Sequence, residues 1–107
     1  MTLSELVRMV CRKFREYGYT SAKERNICVG RRGRFREKDE TITDFIRSVC
    51  ILWAYKYRLA EWEEISIYFK VTSHETMHTT AWRTIQYLNA HPYVNSPFKE
   101  TERQIKR

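Results

Sequence analysis

Residues 61–90 read EWEEISIYFKVTSHETMHTTAWRTIQYLNA, and their spacing decides the fold. Glu61 to Phe69 carries Trp62, Ile65 and Phe69 on one helical face. Lys70-Val71-Thr72-Ser73 is a tight link, and Thr72-x-x-Glu75 supplies a capping box for a longer helix that His91-Pro92 stops near Ala90. At about 100° per residue, Met77, Ala81, Thr84, Ile85 and Leu88 gather on one face, the expected inner one, and Glu75, Thr76, Thr79, Arg83 and Gln86 on the other. A short helix, a tight turn and a longer helix with Thr, Arg and Gln outside is the plan of a helix-turn-helix, whose second helix reads the major groove of DNA.

Upstream, the same periodicity recurs. Leu3, Leu6, Val7, Val10, Cys11, Phe14 and Tyr17 mark an amphipathic helix opened by the capping box Thr2-x-x-Glu5 and closed by Gly18. Ser21-x-x-Glu24 opens a short second helix that ends before Gly30. Ile42, Phe45, Ile46, Val49, Cys50, Trp53 and Tyr57, with Thr41-x-x-Asp44 as cap, predict a third helix that should be the central one. The expectation is an all-α protein of five to six helices with a helix-turn-helix. Residues 1–92 would form the DNA-binding domain, with the helix-turn-helix at 61–90, and residues 93–107 a C-terminal tail or one more short helix after Ser96-Pro97. The 107 residues fit one small domain, and no second, catalytic domain is expected.

The charge is uneven. The net charge is +7, yet residues 8–36 hold ten Lys and Arg against Glu16 and Glu24, a local balance of +8. The remainder of the chain is close to neutral. The densest part is Gly30-Arg31-Arg32-Gly33-Arg34-Phe35-Arg36, where two glycines let backbone approach a phosphate closely and a flexible Arg-rich loop can enter a narrow minor groove. A merely solvated basic loop is the plain alternative. No run approaches the roughly 18–20 apolar residues of a membrane span, and charges break the N-terminal apolar run too early for a secretory signal. A soluble, cytoplasmic protein without membrane attachment is expected. Cys11, Cys28 and Cys50 are odd in number with no CxxC pair, which suits reduced core thiols.

One motif points elsewhere. His74-Glu75-Thr76-Met77-His78 is a literal HExxH, the pattern of zinc peptidases. Such an enzyme needs a third ligand, and His91, Glu100 and Glu102 lie beyond the helix stop with no Gly turn to position them. Thr72, Ser73, Thr79 and Thr80 also make the surroundings polar, unlike a buried metal-holding helix. Polar DNA-facing or capping residues are the preferred reading, with zinc metallopeptidase the lesser alternative. No cofactor, metal or enzymatic activity is expected.

The segment RSVCILWAYKYRLAEWEEISIYF, Arg47 to Phe69, resembles without a gap the C-terminal DNA-binding domain of DnaA-type replication initiators, a Trp-repressor-like helix-turn-helix fold. In that family an Arg-initiated apolar helix leads through a short turn into Leu-x-Glu-Ile-Gly-x-x-Phe. Trp62 takes the Leu place here, and Glu64, Ile65 and Phe69 match. The family's recognition helix begins His-Thr-Thr followed by apolar residues. Two placements are open: Ser73-His74-Glu75-Thr76-Met77, which preserves the turn length and is preferred, or the literal His78-Thr79-Thr80-Ala81-Trp82. The family's Gly-Gly-Arg turn stands here as Lys70-Val71-Thr72, and Arg31, Arg32 and Arg34 resemble its minor-groove loop. The order of elements is similar from Leu3 to Leu88, the residues only from Arg47 to Met77. No Walker loop GxxxxGK[ST] is present, so the resemblance is to a stand-alone relative and not to an initiator.

Together these features imply a double-stranded DNA-binding protein of replication or transcription control. Ser73, His74, Thr76, Thr79 and Arg83 would read base edges with His78 on the same surface, and Lys70 and Arg36 would join the basic first third on phosphates. Arg31, Arg32 and Arg34 would enter or line the minor groove. The alternative is a protein-interaction module in which an exposed aromatic, Trp82 above all, anchors a replication or transcription partner; Trp82 otherwise packs partly into the core. RNA binding is a third, weaker possibility.

Overall fold

Thr2 and Glu5 start the first helix reciprocally: the Glu5 backbone N–H donates to the Thr2 hydroxyl at 3.1 Å, and the Thr2 N–H to the Glu5 carboxylate at 3.2 Å. A computed structural model describes residues 1–28, 42–71 and 77–106. Its elements are α1 (Leu3–Glu16), α2 (Glu24–Cys28), α3 (Ile42–Lys56), α4 (Trp62–Phe69), α5 (Met77–Ala90), a 3-10 turn (Pro92–Val94) and α6 (Asn95–Lys106). The protein is all-α. No helix among the described residues is long and apolar enough to cross a membrane.

Because α3 buries Phe45, Ile46, Val49, Cys50, Ile51, Trp53 and Ala54, along with Arg47 and Ser48, it is covered on nearly every side. A helix that is apolar all round belongs in the middle. α1 is amphipathic instead, and packs Leu3, Leu6, Val7, Val10, Cys11 and Phe14 inward. Tyr17, which the spacing assigned to that inner face, is exposed beyond the end of α1, and its hydroxyl hydrogen-bonds Glu100. α2 begins at Glu24, so the expected box from Ser21 is displaced: Glu24 is the first helical residue and not the third. The proposed caps at Thr41 and Thr72 lie outside the described residues.

Phe45 joins three outer elements. Its ring stacks on Tyr87 of α5 at 4.4 Å, meets Phe14 of α1 edge-on at 6.1 Å, and lies 6.3 Å from Phe98 of α6. Trp53 also packs on Phe98, at 5.0 Å. Residues 93–106 therefore build into the same core, with Val94, Pro97 and Thr101 buried. Thr101 can be buried because its hydroxyl donates to the Pro97 carbonyl at 2.6 Å.

Polar contacts hold α6 against α3. The Tyr57 hydroxyl and the Lys56 ammonium both donate to the Glu102 carboxylate, at 3.0 and 3.3 Å. Burial pushes the Glu102 carboxyl up, but the bonds from Tyr57 and Lys56 and the charge of Lys56 outweigh it, leaving it below its ordinary value. A carboxyl held lower in the folded than in the unfolded chain stabilises the fold above its ordinary value of 4.5. That contribution is lost as the pH falls through the lowered value. Wild type should therefore lose more stability than Glu102→Gln between about pH 6 and pH 3, the two converging at the acid end of a urea-unfolding series.

Inside the bundle, Arg47 is only 4% exposed. Its guanidinium donates to the Phe69 carbonyl through Nε at 3.2 Å and Nη2 at 2.8 Å, and more weakly to the Lys70 carbonyl at 3.4 Å. A cation thus caps the negative end of α4 from inside the core. Arg47→Ala removes these bonds and the packed side-chain stem together, and should lower unfolding free energy by about 2–4 kcal/mol, with the deficit persisting at high salt. Urea denaturation at two salt concentrations measures both.

Candidate nucleic-acid interface

The Arg47 contacts set where α4 stops, and the chain turns immediately. Lys70 adopts the left-handed conformation (φ 52°, ψ 50°). The Val71 N–H donates to the Ser66 carbonyl at 2.9 Å and the Lys70 N–H to the Ile67 carbonyl at 3.3 Å, the paired bonds of a Schellman motif. Glycine is the usual occupant there because it has no Cβ to clash. α3 ends the same way: Arg58 has φ 54°, with Leu59 N–H to the Ala54 carbonyl at 2.9 Å and Arg58 N–H to the Tyr55 carbonyl at 3.2 Å. Both turns bounding α4 thus hold an exposed cation where glycine would be conformationally easier. Tyr55 and Trp62, edge-on at 6.0 Å, close the first of them.

α4 and α5 both seat on α3. The inner face of α5 is not the one its periodicity suggests. Thr80, Thr84 and Tyr87 are buried, while Ile85, expected inside, is 54% exposed. At about 100° per residue this is a rotation of roughly 75° about the helix axis. Thr84, expected inside, enters the core with its polar atom satisfied, its hydroxyl donating to the Thr80 carbonyl at 2.9 Å, and it is joined there by Thr80 and Tyr87, which the spacing left off the inner face. The ring of Tyr87 then reaches Phe45. Met77, Ala81 and Leu88 stay half-buried at the edge of the contact.

The outer stripe of α5 is consequently His78, Trp82, Ile85, Gln86 and Asn89, all exposed. Trp82, at 59%, contributes less to the core than the partial packing considered from sequence. Of the residues expected to face DNA, Lys70 and His78 are exposed. Thr79 and Arg83 are half-buried on the flank of the stripe, and both have interacting neighbours. Arg31, Arg32, Arg34, Arg36, Ser73, His74 and Thr76 lie outside the described residues. The second placement of the His-Thr-Thr signature would aim Thr80 at bases, but Thr80 is buried in the core. Sequence reasoning did not place Ile85 and Asn89 on the exposed stripe, nor Arg47 at the end of α4; the signal for Arg47 was a lone cation in the apolar run Phe45–Ala54.

Electrostatics narrow the basic surface. On α1, Arg8 pairs with Glu24 at 3.6 Å, and Arg12 and Lys13 with Glu16 at 3.9 and 3.1 Å. Arg15 donates to the Ala22 carbonyl at 2.7 Å. The α1 part of the positive segment is thus engaged within the fold. In contrast, no Asp or Glu occurs between Glu75 and Glu100, a span containing all of α5. The candidate third zinc ligands are occupied: His91 Nδ1 lies 2.9 Å from the Tyr93 hydroxyl, Glu100 faces Lys13 at 3.9 Å, and Glu102 accepts from Lys56 and Tyr57. Among the described residues no three potential metal ligands converge.

Comparison with protein families, with curated proteins and with solved structures finds no match to this chain.

The Lys70 backbone yields a direct test. Lys70→Gly should raise stability by about 0.5–1 kcal/mol by removing the left-handed Cβ penalty, whereas Lys70→Ala, which keeps Cβ, should give no such gain. Paired urea titrations with equal slopes distinguish the two.

Proposed function

We propose that this chain binds double-stranded DNA through a helix-turn-helix formed by α4 and α5, and acts in replication or transcription control. The observation that carries the reading is the disposition of α5: it is anchored on α3 by one face and presents an acid-free outer stripe to solvent. A helix entering the major groove must pass between two rows of phosphates, and an absence of carboxylates favours that approach. The left-handed turn at Lys70 supports the same reading, because it stands where the resembling DnaA-type domains carry the first turn glycine. Lys70 and the cluster Arg31, Arg32, Arg34 and Arg36 supply phosphate and minor-groove contacts. Base edges fall to His78, Thr79 and Arg83 of α5 and to Ser73, His74 and Thr76, which precede it in sequence. No catalytic step, cofactor or metal enters this proposal, and its setting is the cytoplasm.

A protein-interaction module is the second reading, favoured by one observation: Trp82 and Ile85 are large, exposed and one turn apart on the same helix. Fluorescence anisotropy with random-sequence duplex DNA and single-stranded RNA, over a range of salt, separates the readings. Duplex binding with a steep salt slope is expected. Arg32→Ala and Lys70→Ala should each weaken binding to all duplexes alike and reduce the slope by about one. Absence of duplex binding at low salt would sink the proposal.

A further inference from the structure

We infer that the outer stripe of α5 is a reader of A·T base pairs, with Ile85 and Trp82 packing on thymine 5-methyl groups and Gln86 and Asn89 hydrogen-bonding adenine. The inference rests on the duplex-DNA reading above and specifies what that surface selects.

The argument starts from the chemistry on the stripe. Trp82, Ile85, Gln86 and Asn89 follow the i, i+3, i+4, i+7 spacing of one helical face, and all four are exposed. In the major groove, cytosine offers a donor that Asp and Glu accept, and guanine offers two acceptors that Arg and Lys bind. The stripe has neither residue class: α5 contains no carboxylate, and its only cation besides histidine, Arg83, is half-buried on the flank with neighbours of its own. Beyond His78 at its start, what remains is two apolar side chains and two carboxamides. A carboxamide can pair with both N6–H and N7 of adenine, and an apolar side chain gains from covering the thymine methyl. The set therefore matches an A·T pair on both of its distinguishing features.

Geometry and exposure agree. From Trp82 to Asn89 the helix advances about 10 Å at 1.5 Å per residue, the length of about three base pairs at 3.4 Å each. Trp82 and Ile85 are 59% and 54% exposed, so each retains apolar surface to bury against a methyl group. The absence of acidic residues between Glu75 and Glu100 leaves the flanking phosphates unopposed.

The test uses the full chain. Duplexes recovered by it from a random-sequence library should be enriched in A·T pairs. Remade with deoxyuridine for thymidine, which removes only the methyl groups, they should bind about three- to tenfold more weakly. Ile85→Ala should bind the thymidine duplex more weakly by a similar factor and show a reduced further loss with deoxyuridine. Because Ile85 is exposed, the variant should keep the wild-type circular dichroism; the deoxyuridine comparison on the wild-type chain stands without any variant. Selective duplex binding that ignores both the methyl groups and Ile85 would overturn this inference and leave the helix-turn-helix reading intact, with the stripe then a surface for protein. Duplex binding without any preferred sequence would likewise overturn this inference alone, and absence of duplex binding at low salt would overturn both.

Discussion

The structure depends on a positive charge held inside an apolar bundle. Arg47 sits on the central helix, where a side chain of its kind is costly to desolvate unless its donors are met. Its partners are the carbonyls at the end of α4, groups that no longer have a helical N–H to bind. Each side resolves the other's deficiency. The contact also acts over distance in sequence: it ties the end of one helix to the body of another and so fixes where the backbone reverses at Lys70. The direction of the chain leaving α4 is set from the core and not by the turn residues alone.

Much of this was legible from the residues, and the parts that were not share a cause. The capping box at Thr2, the left-handed stop at Gly18 (φ 96°) and the centrality of α3 follow from local chemistry or from apolar spacing. The inner face of α5 was misjudged because Thr80 and Tyr87, which the spacing left off it, are buried, whereas Ile85, which the spacing put on it, is exposed. Thr84 cancels its own polarity with a bond to the carbonyl one turn back, and Thr101 does the same in α6. Once threonines can enter the core, an isoleucine is free to face outward. α6 was hard to foresee for a related reason: its buried side includes Pro97 and Thr101, so it reads as a polar tail. At Lys70 the customary glycine signature of a helix stop is absent, so the sequence indicates a tight link there but only the backbone reveals its left-handed conformation. The candidate site was less legible than the fold: Lys70, His78 and Gln86 were foreseen on the outer surface and Trp82 at its edge, but Ile85 was placed inside and Asn89 not placed at all.

The same distinction applies to charge. A sequence count treats every arginine in residues 8–36 as equally available, yet those on α1 face Glu16, Glu24 or a backbone carbonyl. Exposed pairs of this sort contribute little to stability and are screened by salt. They do lower the local field, so a polyanion meets less positive potential at α1 than the residue count implies. Net charge is a property of the chain, but attraction is a property of the surface that the fold leaves uncompensated.

The three tryptophans occupy three different settings: Trp53 is buried against Phe98, Trp62 is half-buried beside Tyr55, and Trp82 stands in solvent on α5. Indole emission shifts with the polarity of its surroundings, so the protein carries its own optical probes. Loss of the core should red-shift the Trp53 contribution, whereas a ligand settling on α5 alters Trp82 while the core emission stays constant. With Trp82 and Trp53 replaced in turn by phenylalanine, unfolding and surface occupation become separate signals from one unlabelled chain.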